Sequence, residues 1–184
     1  MNLGEKLALF LGMLSGDGCL SKKHNGEGYR DYPIDFCNTD KSKVLIFSTL
    51  FNQLFDKTGR VSSRKRAENR LEIWSFLKHS VEVVKYLRQL GFPEGVKRDV
   101  LRILPVIWHG TNKEKIAFIY GVLITDGSLN ESRILFHSGS KLFLKDLSKL
   151  ISCFINAEKP VKEYVQREVY KSYQDTVILE VYPS

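Results

Sequence analysis

Residues 5–20, EKLALFLGMLSGDGCL, recur in altered form as residues 114–129, EKIAFIYGVLITDGSL. At a constant offset of 109 the segments share eight identities in sixteen positions, and most of the others exchange one apolar residue for another. A repeat that keeps a terminal Asp-Gly as well as an apolar register is a duplication, so the fold is expected to contain two related halves. Leu3, Leu7, Leu11 and Leu14 recur at helical spacing, which predicts a helix ending at Asp17. That helix carries Gly12 and Gly16, each costing roughly 1 kcal/mol against Ala in a helix interior.

The small residues repeat as well. Ala8, Gly12 and Gly16 answer to Ala117, Gly121 and Thr125, and a spacing of four puts each trio in one stripe along a helix. Stripes of small residues let two backbones approach closely, so the simplest arrangement packs the two helices against each other where the halves meet. The alternative is two unrelated helices with Gly18 and Gly127 as ordinary C-terminal stops. If the helices run side by side in one direction, Asp17 and Asp126 arrive together at one end. Carboxylates at helix C-termini oppose the macrodipole, and two close together repel. A divalent cation removes both penalties, and Mg²⁺ suits a site with few protein carboxylates. For either acid alone, the competing reading is a local turn residue.

Lys plus Arg exceed Asp plus Glu by 28 − 21 = 7, and the sequence pI is about 9.3. This balance favours a polyanionic partner such as nucleic acid. No apolar run approaches the ~20 residues that span a bilayer, so no membrane partner is expected. The start, MNLGEKLALF, has no small-residue cleavage site and reads as no signal peptide. Three scattered cysteines, Cys19, Cys37 and Cys153, suit reduced thiols and an intracellular setting, cytoplasmic, nucleoid-associated or organellar. Without CxxC, HxxxH or HExxH spacings a structural zinc site is not expected. His24, His79, His109 and His137 form no catalytic pattern.

Along the chain, the pattern predicts a strand over 27–38 and a helix over 41–56. A hairpin follows, with strands near 60–66 and 70–76 around a turn at 67–69, and then helices over 78–90 and about 97–108. The break between halves falls at 110–112, giving segments 1–110 and 111–184. The second half repeats the order in shorter form: strand 132–138, helix 141–156, strands near 160–169 and 175–182. Basic side chains crowd the strand segments. Arg60, Arg64, Lys65, Arg66 and Arg70 lie on one hairpin, and Lys22, Lys23, His24 and Arg30 flank Tyr29 and Tyr32. Arg133, Lys162, Tyr164, Gln166, Arg167 and Tyr170 fall in the second half. On a ribbon in the major groove of DNA, Arg and Gln read base edges while Lys neutralises phosphate. An ordinary solvated strand face is the alternative for any one of them.

The stretches FLGMLSGDG and IYGVLITDG resemble the two motifs of LAGLIDADG homing endonucleases in their single-chain, two-motif form. The match lies at Gly12 or Gly121, the apolar positions around them and the terminal Asp-Gly. The resemblance implies an α+β fold of two pseudo-twofold-related αββαββα-type halves, the second truncated. Their saddle-shaped antiparallel sheets lie on double-stranded DNA, around a central packed helix pair. It implies a site-specific, metal-dependent DNA endonuclease that cuts both strands of a long target, weakly palindromic because the halves are unequal. Asp17 and Asp126 become the catalytic acids and metal ligands, with Gly16 and Thr125 at the same metal site. Mg²⁺ is the expected cofactor, Mn²⁺ a substitute, and Ca²⁺ an ion that supports binding without cleavage. Lys97, in LGFPEGVKRDVL, matches a basic residue that family members place near the metal and scissile phosphate, where it can stabilise the transition state. Lys41 and Lys141, which begin corresponding helices, are weaker candidates, with a solvent-facing role as their alternative. A monomer is expected. The rival function is an intron RNA-splicing maturase or a non-catalytic DNA-binding protein on the same scaffold.

Overall fold

The computed structural model describes the chain except residues 22, 25–29, 66–70, 131–132, 155–161, 167–175 and 182–184. For residues 23–24, 30–31, 130, 162–166 and 176–181 it describes the backbone alone.

Helix α1 (Leu3–Asp17) is capped by Asn2, whose side chain accepts from the Glu5 N–H at 2.8 Å. It passes directly into strand β1 (Gly18–Leu20). Its counterpart α5 (Asn112–Asp126) starts from a capping box of Thr111 and Glu114 and passes into β7 (Gly127–Asn130) in the same way. Gly18 and Gly127 are therefore not left-handed stops: both are extended, at φ −94° and −98°, and each still donates to the helix, at Leu14 and Leu123. Glycine is required there by crowding. A Cβ at Gly18 would lie 2.8 Å from Leu14 Cα, and one at Gly127 would lie 2.7 Å from Leu123 Cα.

Two four-stranded antiparallel sheets follow one plan. The first has the order β1-β4-β6-β5, with β4 at Pro33–Asn38, β5 at Arg60–Lys65 and β6 at Glu72–His79. The second has the order β7-β8-β10-β9, with β8 at Arg133–Ser138, β9 at Lys162–Gln166 and β10 at Thr176–Val181. Gly18 pairs with Phe36 as Gly127 pairs with Phe136, so the duplication extends to strand register. Short strands β2 (Lys23–His24) and β3 (Arg30–Asp31) form a separate ribbon. Helices α2 (Lys41–Phe55) and α6 (Lys141–Ser152) cover the inner faces, and α3 (Val81–Gln89) closes the first half. The first half's core is a phenylalanine stack, Phe36 against Phe47 at 4.3 Å and Phe47 against Phe10 at 4.8 Å, all fully buried. Phe118, Phe136 and Phe143 take the equivalent role in the second.

Several sequence expectations are corrected. The predicted strand over 27–38 is two pieces, β3 and β4, with 27–29 outside the described residues, as is the predicted turn at 67–69. Strand β6 continues to His79, and Ser80 caps α3, so the helix expected from 78 begins at Val81. The helix expected over 97–108 is only the single turn α4 (Pro105–Trp108). Pro105 lacks an N–H and disfavours helical Leu104, so it can begin a helix but not continue one.

Helices α1 and α5 make the most extensive contact between described elements. Gly4 faces Glu114, Gly12 faces Phe118 and Gly121, and Gly16 faces Thr125 and Asp126, so α1 and α5 run in the same direction. A Cβ added at Gly12 would lie 3.0 Å from Gly121 Cα. Ala8 is buried beside this seam, and Ala117 packs half-buried against the core. The irregular segment 91–104 then crosses between the halves. Gly95 holds it to β1, donating to Leu20 O at 2.7 Å from a left-handed backbone at φ +76°. At its far end Arg102 grips Asp146 of α6 through two hydrogen bonds of 2.6 and 2.8 Å, and Ser140 donates to Leu101 O at 3.0 Å.

Candidate active site and nucleic-acid interface

Asp17 and Asp126 are the last residues of α1 and α5, and the parallel course of the pair brings them to one tip. Their closeness follows from the small residue before the first acid: a Cβ at Gly16 would lie 3.3 Å from Asp126 Cγ. Burial holds the Asp17 carboxyl above its usual range, while the Asn38 amide, donating to Oδ2 at 2.6 Å, and the charges of Lys97 and Lys43 oppose this. Burial, then the charge of Asp17, pushes Asp126 up to about 7 against Lys97 and Lys43.

The crossing segment delivers Lys97 to this tip. Its Nζ donates to the carbonyls of Leu14, Ser15 and Gly16 at 3.0, 2.8 and 2.8 Å. These carbonyls belong to the last turn: that of Leu14 also accepts from the Gly18 N–H, whereas those of Ser15 and Gly16 lie beyond the reach of the helix's own N–H groups. All three ammonium protons are thereby used, and a positive charge sits where the helix dipole is negative. Burial pushes Lys97 down to about 8, opposed by Asp126, Cys19 and Asp17. The α5 tip is finished differently: Thr125 Oγ1 donates back to Gly121 O and Val122 O, both at 3.0 Å.

This donor set fits a hard divalent cation. Two carboxylates converge, each holds its proton more tightly than usual, and a divalent cation bound by them would relieve both. Among the described residues no group of three or more His, Cys, Asp or Glu side chains is placed to hold a metal, so two acids leave the remaining positions to water and phosphate, as Mg²⁺ prefers. Of the other two expected ligands, Gly16 already gives its carbonyl to Lys97, and the Thr125 hydroxyl is turned to its own helix.

Asn38 and Lys43 were not singled out by the sequence. The halves' equivalent registers place Ser138 where the first half has Asn38, and Phe143 where it has Lys43, so the repeat carried no signal for them. Lys41 does not join the tip; its Nζ lies 4.3 Å from the Trp74 ring centroid. Lys141 is exposed at the start of α6.

Strand register sorts the proposed DNA contacts. In the first sheet Cys19, Asp35, Leu77 and Arg60 form one cross-strand row, Cys37, Ser75 and Ser62 the next, and Ile73 and Arg64 a third. All stand on the face opposite Phe36 and Phe76. Lys65 alternates to the other face, opposite Glu72, and Tyr32 packs against the core, so neither joins this row. In the second sheet the pairings place Arg133 and positions 162, 164 and 166 on the face opposite Phe136; of Lys162, Tyr164 and Gln166 only the backbone is described. Lys23, His24 and Arg30 belong to the β2–β3 ribbon, again as backbone. Lys22, Tyr29, Arg66, Arg70, Arg167 and Tyr170 lie outside the described residues. No helix among the described residues is long and apolar enough to cross a membrane.

No family model matches the sequence. An A-type ATP synthase subunit of Pyrococcus abyssi (strain GE5 / Orsay) is 26% identical over 131 residues, 71% of this chain but 11% of that protein. The chain thus spans about a tenth of that relative's length. Among solved structures, mesophilic variants of the homing endonuclease I-DmoI superpose with a TM-score of 0.70 at 17% identity, over 98% of this chain and 86% of theirs. I-DmoI in complex with DNA and Mn gives 0.67 at 16%, over 98% and 91%, and other I-DmoI structures contain target DNA with Mg or DNA with Ca. The N-terminal LAGLIDADG domain of DUF199/WhiA gives 0.59 at 12%, over 99% of this chain and 76% of that one. With its duplicated sheets, its parallel glycine-striped helix pair and an acid at each tip, this chain is a LAGLIDADG-fold protein.

Proposed function

We propose that this chain is a site-specific DNA endonuclease that breaks both strands of a long, weakly palindromic target as a monomer. The convergence of Asp17 and Asp126 at the tip of a helix pair carries this reading. A purely architectural helix pair gains nothing from two mutually repelling, largely buried carboxylates there. The DNA-bound I-DmoI structures support it through the shared fold.

Asp17 and Asp126 would hold a divalent cation, Mg²⁺ or Mn²⁺, which when bound supplies Lewis-acid assistance to phosphodiester hydrolysis. The chain's own residues prepare the site. Asn38 fixes the Asp17 carboxylate with one oxygen engaged and the other available. Lys97 cancels the negative end of α1, so that a carboxylate is tolerated there. Together with Lys43 it leaves the tip attractive to phosphate. The outward faces of the two sheets supply the duplex contacts, from Arg60 and Arg64 in one and from Arg133, Lys162, Tyr164 and Gln166 in the other. Lys22, Lys23, Arg30, Lys65, Arg66, Arg70 and Arg167 are further proposed contacts to the duplex, assigned from the sequence.

The test is cleavage of a supercoiled plasmid carrying a site enriched by binding selection. Asp17→Asn and Asp126→Asn should each abolish linearisation in Mg²⁺ while binding the site in Ca²⁺ as wild type does. Full-rate linearisation by either variant removes that residue from the site. A wild-type protein that binds the site but leaves it intact in Mg²⁺ and Mn²⁺ replaces this reading with the non-catalytic one, for DNA or for an intron RNA.

A further inference from the structure

The outward face of the first sheet is basic along its edge, where Arg60 and Arg64 stand, yet it carries an acid. Asp35 on β4 is the one carboxylate among the described residues of that face. It lines a groove of about 250 Å³ with Cys37, Arg60, Ser62, Arg64 and Ser75. Among the described residues no ion pair joins it to either arginine. Among the described residues its carboxylate takes one hydrogen bond, from the Cys37 thiol, which donates to Oδ1 at 3.3 Å. Burial, followed by the charge of Asp35, pushes that thiol up to about 12, so it stays protonated and acts as a donor. Oδ1 is thereby fixed, and Oδ2 takes no hydrogen bond from the described residues.

On a surface that meets DNA such a carboxylate is a cost unless it has a specific partner, because it repels phosphate. Most of the major-groove edge repels it too: guanine shows N7 and O6, adenine N7 and thymine O4, all acceptors. Donors come from cytosine N4 and adenine N6 alone, and adenine sets its N7 lone pair beside that donor. Cytosine shows no acceptor in the major groove. The residues paired directly with Asp35, Cys19 and Leu77, carry no charge, and Arg60 stands one strand further along the row. The second half has Leu135 at the equivalent register position, so the device belongs to one half of the site.

We infer that Asp35 is a specificity-determining residue that accepts from the N4 amino group of one cytosine in the major groove, between contacts made by Arg60 and Arg64. The inference rests on the reading of this chain as a DNA-binding protein. It predicts that Asp35 contributes to choice of sequence and little to overall affinity.

The experiment is selection from a pool of fully randomised duplexes in Ca²⁺, with wild type, Asp35→Asn and Asp35→Ala, after thermal melts show that the variants are folded. Wild type should fix a cytosine at one position. Asp35→Asn should move that position to adenine, since Asn pairs with adenine N6 and N7, and Asp35→Ala should leave it without preference, all other positions being unchanged. On the winning duplex, replacing that cytosine should cost wild type roughly 5- to 150-fold in affinity and Asp35→Ala nothing. One common consensus from all three proteins would overturn the role of Asp35 and leave DNA binding standing. A pool that wild type fails to enrich would overturn the DNA-binding reading, and this inference with it.

Discussion

Asp126 bears the burial and the repulsion at the tip together, and this gives its removal a definite sign. With its carboxyl pushed up to about 7 from an unfolded value near 3.9, the folded chain holds that proton more tightly than the unfolded chain does. Between about pH 4 and 7 stability without metal therefore falls as pH rises. Asp126→Asn, which keeps the shape and removes the charge, should flatten that fall and raise the metal-free melting temperature at pH 7. Melts of both proteins across this range check it, and a steeper fall in the variant would contradict it. Divalent cation should stabilise wild type and not the variant. Asp17 and Asp126 were legible because they lie in the repeated motif, whereas Lys97 came only from the family resemblance of the turn that carries it. Asn38 was not: it reaches Asp17 across 21 residues, and only strand register decides that contact. Lys43 hid behind Lys41, because the phase of α2 decides which helix-start lysine faces the acids.

At the scale of elements, the helix pair is held by absent side chains. With a Cβ at Gly12 already 3.0 Å from Gly121 Cα, a larger side chain must push the backbones apart. Gly12→Leu and Gly121→Leu should each destabilise by at least ~1–3 kcal/mol through overpacking, read as a lower denaturation midpoint. Unchanged unfolding in both would mean that the seam opens freely. The pair, its direction and its small stripe could be read from the sequence because helical spacing and a constant offset overdetermine them. Elements shorter than one periodic repeat could not. Strand β1 has three residues, and its glycine resembles a helix stop although it is extended. The stretch 97–108 has apolar spacing suited to a helix, and Pro105 confines that helix to one turn.

Across the whole molecule the segment 91–104 connects the halves and completes the tip, and its far anchor is lopsided. The Asp146 side chain is 6% exposed and that of Arg102 55%. Losing the arginine leaves a buried carboxylate with the Ile103 N–H, at 3.3 Å, and no counter-charge, whereas losing the acid returns a guanidinium to water. Arg102→Met should therefore lower the melting temperature more than Asp146→Asn, and the Arg102→Met/Asp146→Leu double variant should recover much of the loss. Thermal melts of the three variants check the order, and the reverse order would show that the acid is not held by this contact. The parallel course of α1 and α5 also sets a timetable. During synthesis α1 emerges first, and its partner follows 109 residues later, about 5–20 s at ribosomal speed. Until then the glycine seam has nothing to close against. A nascent or prematurely ended chain presents Asp17 alone, so on the proposed reading a half-made nuclease is an inert one.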